Sequence, residues 1–134
     1  MENCIFCKLG AHELSTNIIW ENDHYMATLD INPKVKGMTV VFPKKHLPSY
    51  LFKNDDQEIC SLMLATKQVT KILEKGLGVT WVFMRAEGFD VSHLHTKLYP
   101  VYDNYSENQE ELTRKPAPEE LAELAEQIKS ANAM

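Results

Sequence analysis

One helical stripe limits what this chain can fold into. Between about Asp55 and Lys75, the residues Ile59, Leu62, Met63, Thr66, Val69, Ile72 and Leu73 recur at helical spacing and make one apolar face. Asn54 or Asp55 is placed to cap its start and Gly76 to end it. A single stripe of this length has to be buried against another element, and the flanking segments read as strands. Ile18–Glu21 and Tyr25–Leu29 are short, rich in β-branched and aromatic residues, and separated by Asn22-Asp23, which is turn chemistry, so they predict a hairpin. Met38–Phe42 is an apolar run between Gly37 and Pro43 and predicts a third strand. Val79–Met84 and Val91–Tyr99 predict two more, the last stopped by Pro100, which has no N–H for a ladder. Strands on both sides of one long helix predict an α+β fold with an antiparallel sheet of about five strands.

The chain has 134 residues, and 44% are hydrophobic, which suits one domain with one core. Residues 1–102 form the predicted core unit. The polar stretch 103–117 reads as a loop, and 118–131 as a further helix in which Pro118 suits the first turn, Glu119 and Glu120 suit its positive end, and Leu121, Leu124, Ala125 and Ile128 dock. No internal repeat is present, which excludes solenoids. The formal net charge of -5 argues against a protein that grips a nucleic-acid duplex or an anionic membrane, so the expected partner is a small molecule. No run approaches the roughly 18 apolar residues of a membrane span. The first residues lack the basic and apolar regions of a signal peptide, and a cytoplasmic location is expected. Three cysteines, an odd count without an export signal, argue against a disulfide framework, so the Cys4-x-x-Cys7 pair is read as metal or redox chemistry, or as two reduced, buried thiols.

The chemistry concentrates in Gly88-Phe89-Asp90-Val91-Ser92-His93-Leu94-His95-Thr96-Lys97-Leu98-Tyr99-Pro100. In an extended chain His93, His95 and Lys97 share one face, and Leu94, Thr96 and Leu98 the other. Alone, that pattern also fits the wet side of an amphipathic strand. The flanks decide: His93-Leu94-His95-Thr96-Lys97-Leu98, Cys4-Ile5-Phe6-Cys7-Lys8-Leu9, Leu29-Asp30-Ile31-Asn32-Pro33 and Gly37-Met38-Thr39-Val40-Val41-Phe42-Pro43-Lys44-Lys45-His46 together resemble the motifs of the histidine triad superfamily in its own order, over most of residues 4 to 100.

This resemblance implies a histidine triad fold, a homodimer, and action at the α-phosphorus of a purine nucleotide conjugate, such as a dinucleoside polyphosphate or a nucleoside phosphoramidate. It implies that His95 is the nucleophile of a covalent nucleotidyl-histidine and that Lys97, where the family has its third histidine, contacts the phosphate. Neutral imidazole, with a reference pKa of about 6.5, suits the first role. A lysine offers a cationic point charge and transfers protons near neutral pH only if its surroundings depress its pKa. The resemblance further places Asp30 on the ribose hydroxyls and Ile5, Phe6, Leu9 and Ile31 around the base. It implies a structural zinc held by Cys4, Cys7, His46 and His93, a set whose Cys-x-x-Cys spacing suits tetrahedral coordination. Met38 and Phe89 depart from the family, each removing a polar contact. With Lys97 they support an alternative: a catalytically impaired nucleotide-binding module with a structural zinc site. A further rival is a zinc-stabilised interaction protein. His12 and His24 receive no role, and Lys44 and Lys45 are expected on the surface.

Overall fold

The structure is a computed structural model that describes residues 3–102 and 114–133. A short helix α1 (Ile5–Gly10) precedes a hairpin of β1 (Ile18–Glu21) and β2 (Tyr25–Leu29). Strand β3 (Thr39–Pro43), the long helix α2 (Asp56–Leu77), β4 (Trp81–Arg85), β5 (Thr96–Val101) and α3 (Pro118–Asn132) follow. The strands form one antiparallel sheet in the order β1-β2-β3-β5-β4, which is the α+β architecture expected from the sequence.

Alternation along the strands sorts side chains onto two covered faces. Ala27, Leu29, Val41, Leu94 and Leu98 pack with Leu62, Val69 and Leu73 of α2, while Met26, Val40 and Phe42 pack on the other side against Phe6 and Leu9 of α1. Strands β2 and β3 are therefore buried at every position, so no hydrophobic-in, polar-out rhythm could mark them. Each fully buried leucine of the α2 stripe contributes roughly 1.5–3 kcal/mol, enough in sum to hold the helix to the sheet. The hairpin turn is made by Asn22, whose Oδ1 accepts from the backbone N–H of His24 (2.9 Å) and of Tyr25 (2.8 Å).

Several boundaries differ from the sequence reading; the strand read over Val79–Met84 is Trp81–Arg85, because the Val79 N–H donates to Glu74 O at the end of α2. Asp55 does cap α2, accepting from the Glu58 N–H at 2.9 Å, but the helix passes through Gly76 and ends at Gly78, which takes the left-handed conformation at φ 68°. The strand expected over Val91–Tyr99 pairs only from Thr96 onward. Upstream, the His93 N–H donates to Val91 O (2.8 Å) and the Leu94 N–H to Leu47 O (3.0 Å), so these donors serve a turn and a loop and not the ladder. Pro100 does not stop β5, which runs to Val101; β3 pairing ends at Leu98, and a residue without an N–H is tolerated where only one neighbour remains. Helix α1 has no counterpart among the predicted elements. Of the predicted loop 103–117, residues 103–113 lie outside the described residues.

Gly76 explains why α3 docks where it does. A Cβ there would lie 2.8 Å from Ile128 Cγ2 and 2.9 Å from Ile128 Cα, so the absence of a side chain sets the closeness of α2 and α3. Gly76→Ala gains about 1 kcal/mol of helix propensity but forces Ile128 and its backbone outward, an overpacking cost of roughly 1–3 kcal/mol. The second effect is larger because backbone must move. Urea unfolding is expected to show a net loss of about 1 kcal/mol; a gain in stability would show that α3 is not seated on Gly76.

Candidate active site and metal-binding cluster

His93 anchors the region. Its ring is fully buried, with Nε2 2.7 Å from Pro43 O and edge-on contacts to Phe6 (5.6 Å) and Phe42 (5.9 Å). A carbonyl only accepts, so Nε2 carries the hydrogen and donates. Burial pushes the His93 pKa down to about 4, against the Pro43 bond and with help from the neighbouring His46 and His95, so the ring is neutral and Nδ1 offers a lone pair. That lone pair faces Cys4 Sγ at 3.2 Å and Cys7 Sγ at 3.5 Å. His46 Nδ1 lies 3.3 Å from Cys7 Sγ. The thiols meet because Cys4 caps α1 and accepts from the Cys7 N–H at 3.4 Å, which curls the two side chains to one side of the first turn. Desolvation raises the Cys7 pKa, and the bond and charge of Cys4 raise it further.

The four donor atoms lie within 4.8 Å of one another. Tetrahedral zinc with ordinary Zn–S and Zn–N bonds spans ligand-to-ligand edges of about 3.3–3.8 Å, so the sulfur-to-nitrogen separations fit one ion with little movement. Two thiols and two imidazoles are also the donor chemistry that a borderline-soft divalent ion prefers. Among the described residues this cluster is the group of side chains that can hold a metal.

Two residues on, His95 is 2% exposed and its Nδ1 lies 2.6 Å from His93 O. Nδ1–H must donate to that carbonyl, which leaves the Nε2 lone pair as the ring's available nucleophile. Burial is the main cause lowering its pKa, and the charge of Lys97 acts the same way, while the His93 carbonyl, Asp90 and Asp30 oppose it. Phe6, stacked on Phe42 at 4.5 Å, stands edge-on to the His95 ring at 5.1 Å. The alternation read from the sequence therefore survives although the ladder starts only at Thr96: Leu94 and Leu98 face α2, and Thr96 Oγ1 bonds Thr66 Oγ1 of that helix at 3.0 Å.

Lys97 is committed to an ion pair with Asp90. Burial works to lower the lysine's pKa, but the hydrogen bond and charge of Asp90 outweigh it, and the net direction is upward from 10.5. The ion pair thus favours the charged form of Lys97. Asp90 is a residue of the site that sequence reasoning missed as a partner. Strand alternation gives no signal for a contact seven residues back; it arises because the chain turns at Gly88, held at φ +77° with its Cα against Ser49, where a Cβ would meet Ser49 O at 2.4 Å.

Asp30 forms a turn, its Oδ1 accepting from the Asn32 N–H at 2.8 Å. Of the apolar residues expected around the base, Ile5 (44%) and Ile31 (50%) are open, whereas Phe6 and Leu9 are buried in the core under the sheet. Met38 is buried with Val35 and Tyr99 and brings no polar group, and Phe89 is 88% exposed. Lys44 and Lys45 pair with Glu21 and Glu58, and His12 also bonds Glu21. A cleft of about 890 Å³ is lined by Cys4, Ile5, His46, Asp90, Val91 and Ser92, together with Asn3. It opens over the metal-binding cluster and reaches Asp90; His95 is not part of its wall.

A five-stranded antiparallel sheet with a long helix on one face and a buried His-x-His at the head of β5 defines a histidine triad class of structure. The model of the HIT domain matches residues 11–104. An uncharacterized HIT-like protein of Methanocaldococcus jannaschii is 35% identical over 108 residues, covering 78% of this chain and 83% of that protein. Among solved structures, a Hit-like protein of Bartonella henselae superposes with a TM-score of 0.79 at 26% identity, over 98% of this chain and 97% of that one. A zinc-bound histidine triad family protein of Mycobacterium smegmatis has the same fold, with a TM-score of 0.78 at 19% identity, over 98% and 94% of the two chains. The chain belongs to the HIT domain family. Among the described residues no helix is long and apolar enough to cross a membrane.

Proposed function

We propose that the chain is a hydrolase or nucleotidyl transferase acting at the α-phosphorus of a purine nucleotide conjugate. The observation that carries this reading is the His95 ring, buried, neutral and locked by its Nδ1–H to His93 O so that Nε2 holds the free electron pair. In this reading Nε2 forms a bond to the α-phosphorus as the bond to the leaving group breaks, the departing group taking the electron pair. Water or another acceptor then attacks the nucleotidyl-histidine and returns Nε2 to its starting state. Lys97 balances charge on the phosphate oxygens, Asp30 accepts from the ribose hydroxyls, and Ile5 and Ile31 border the base. Zinc is the ion we assign to Cys4, Cys7, His46 and His93; with four protein ligands it would be structural, tying α1 to the segment that carries His95. The zinc-bound Mycobacterium smegmatis protein, of the same fold, supports that choice. A homodimer is expected to use the open edge of β4, where Trp81 (66%) and Met84 (40%) are exposed.

Mass spectrometry of protein quenched during turnover of a diadenosine polyphosphate tests the mechanism: an adenylyl group on His95 is expected, and turnover without any such adduct would remove it. The alternative, a nucleotide-binding module without turnover, is favoured by Met38, an apolar residue buried with Val35 and Tyr99 at a position where the family often has a supporting histidine, and would show binding with no product at high protein concentration.

Lys97 supplies a further prediction. A group whose pKa is raised above 10.5 stays charged throughout the neutral range and loses its proton only above that value. The kcat/KM profile is expected to show no alkaline decline due to Lys97 below about pH 10, while Lys97→Gln lowers kcat/KM by roughly 10–100-fold at every pH from about 6 to 9. An alkaline limb near pH 8 that disappears in the variant would show instead that Lys97 transfers a proton.

A further inference from the structure

The face of the sheet that carries Lys97 continues onto β4. In the β4–β5 pairing Arg85 stands directly opposite Lys97, and Phe83 opposite Tyr99, so these four side chains project to the same side. The rings of Phe83 and Tyr99 stack at 4.8 Å, within 6° of parallel, and the Arg85 guanidinium lies over them, 5.2 Å from the Tyr99 centroid and 5.9 Å from that of Phe83. Such a platform holds a guanidinium through its flat face and leaves its N–H edge for an anion. Lys97 shares its charge with Asp90 and Lys44 with Glu21, whereas among the described residues no carboxylate lies within 4.0 Å of the exposed Arg85.

We infer that Arg85 forms the far end of a phosphate subsite that begins at Lys97, and that the conjugate this chain takes carries further phosphates beyond the one attacked. This inference rests on the proposed function. Lys97 lies two residue steps along from His95, on the order of 7 Å, and Arg85 is about 5 Å further across the sheet. A phosphate chain leaving the α-position toward Lys97 therefore arrives at the guanidinium, whose planar fork matches two phosphate oxygens at once. The leaving-group chemistry agrees. A terminal phosphate or nucleoside phosphate departs as an anion and requires no proton, whereas an amine departing from a phosphoramidate does, and the ion-paired Lys97 holds its own proton tightly.

Equilibrium binding of AMP, ADP and ATP, without added divalent cations and at fixed ionic strength, tests this in the wild type, Arg85→Gln and Arg85→Lys. Wild type is expected to bind ATP roughly tenfold or more tighter than AMP, and Arg85→Gln to close that gap while leaving AMP affinity within about twofold. Arg85→Lys should retain part of the gap, since a point charge keeps attraction but loses the fork. Thermal melting of the variants should match wild type, because Arg85 is exposed. ATP binding no tighter than AMP in the wild type, or an unchanged ATP/AMP ratio in Arg85→Gln, overturns the subsite and leaves the nucleotide reading standing; an equal loss for AMP and ATP overturns it as well. If the wild type binds none of the three, the nucleotide reading itself falls and this inference with it.

Discussion

His95→Asn is expected to lower turnover of a diadenosine polyphosphate or an adenosine phosphoramidate by on the order of 10⁴-fold or more, with nucleotide affinity changed by no more than about threefold. Asparagine keeps a planar polar group of similar size beside the His93 carbonyl, but its amide nitrogen has no available lone pair for phosphorus. Binding energy that depends on Asp30, Lys97 and the open apolar wall is untouched, so the loss falls on the chemical step. Single-turnover kinetics beside equilibrium titration separates the two quantities. Retention of more than about a tenth of the rate in the variant would show that the nucleophile lies elsewhere.

The other large effect belongs to the Cys4, Cys7, His46 and His93 cluster. The protein as purified without chelator is expected to carry one zinc per chain by elemental analysis, and chelation or Cys7→Ser to lower the melting temperature by 10 °C or more. Structural zinc in small domains supplies about 10–16 kcal/mol of apparent binding energy, but this fold has a core of its own, so only a part of that should appear as stability. For 134 residues the unfolding entropy is roughly 0.28 kcal/mol/K, so a loss of about 4 kcal/mol corresponds to about 14 °C. Cys60, exposed on α2, is the internal control: Cys60→Ser should leave both metal content and melting temperature unchanged. If Cys7→Ser melts with the wild type and neither protein contains metal, the cluster is only a pair of reduced thiols beside two histidines. The loss should also slow turnover, because His93 supplies the carbonyl that fixes the His95 tautomer and is itself one of the four ligands.

Periodicity carries local information, and the elements legible in the sequence are those where it is strong. The α2 stripe from Ile59 to Leu73, the Asn22 turn and the docking face of α3 all follow from spacing and turn chemistry, and each is found near its expected place. The two-residue rhythm of Leu94, Thr96 and Leu98 against His93, His95 and Lys97 is equally local, so it placed the residues on opposite faces even though the strand begins later than read. Helix α1 was not legible because six residues give less than two turns, too few for a 3.6-residue period to show. Gly76 was read as a helix end because composition cannot distinguish a glycine that stops a helix from one that lets another helix approach.

The residue types that carry chemistry were thus determined by the sequence alone: His95 between Leu94 and Thr96, a lysine two residues on, and two cysteines at the spacing of one helical turn. Their states were decided by the tertiary structure. Lys97 is ion-paired because a turn at Gly88 brings Asp90 back to it, and His95 presents Nε2 because its other nitrogen meets the backbone carbonyl of His93, whose ring is held by Pro43. Arg85 acquires a neighbour twelve residues away through the β4–β5 register. Spacing along a chain determines which face a side chain takes; protonation, tautomer and partner depend on what the fold brings across from it and how much water it removes.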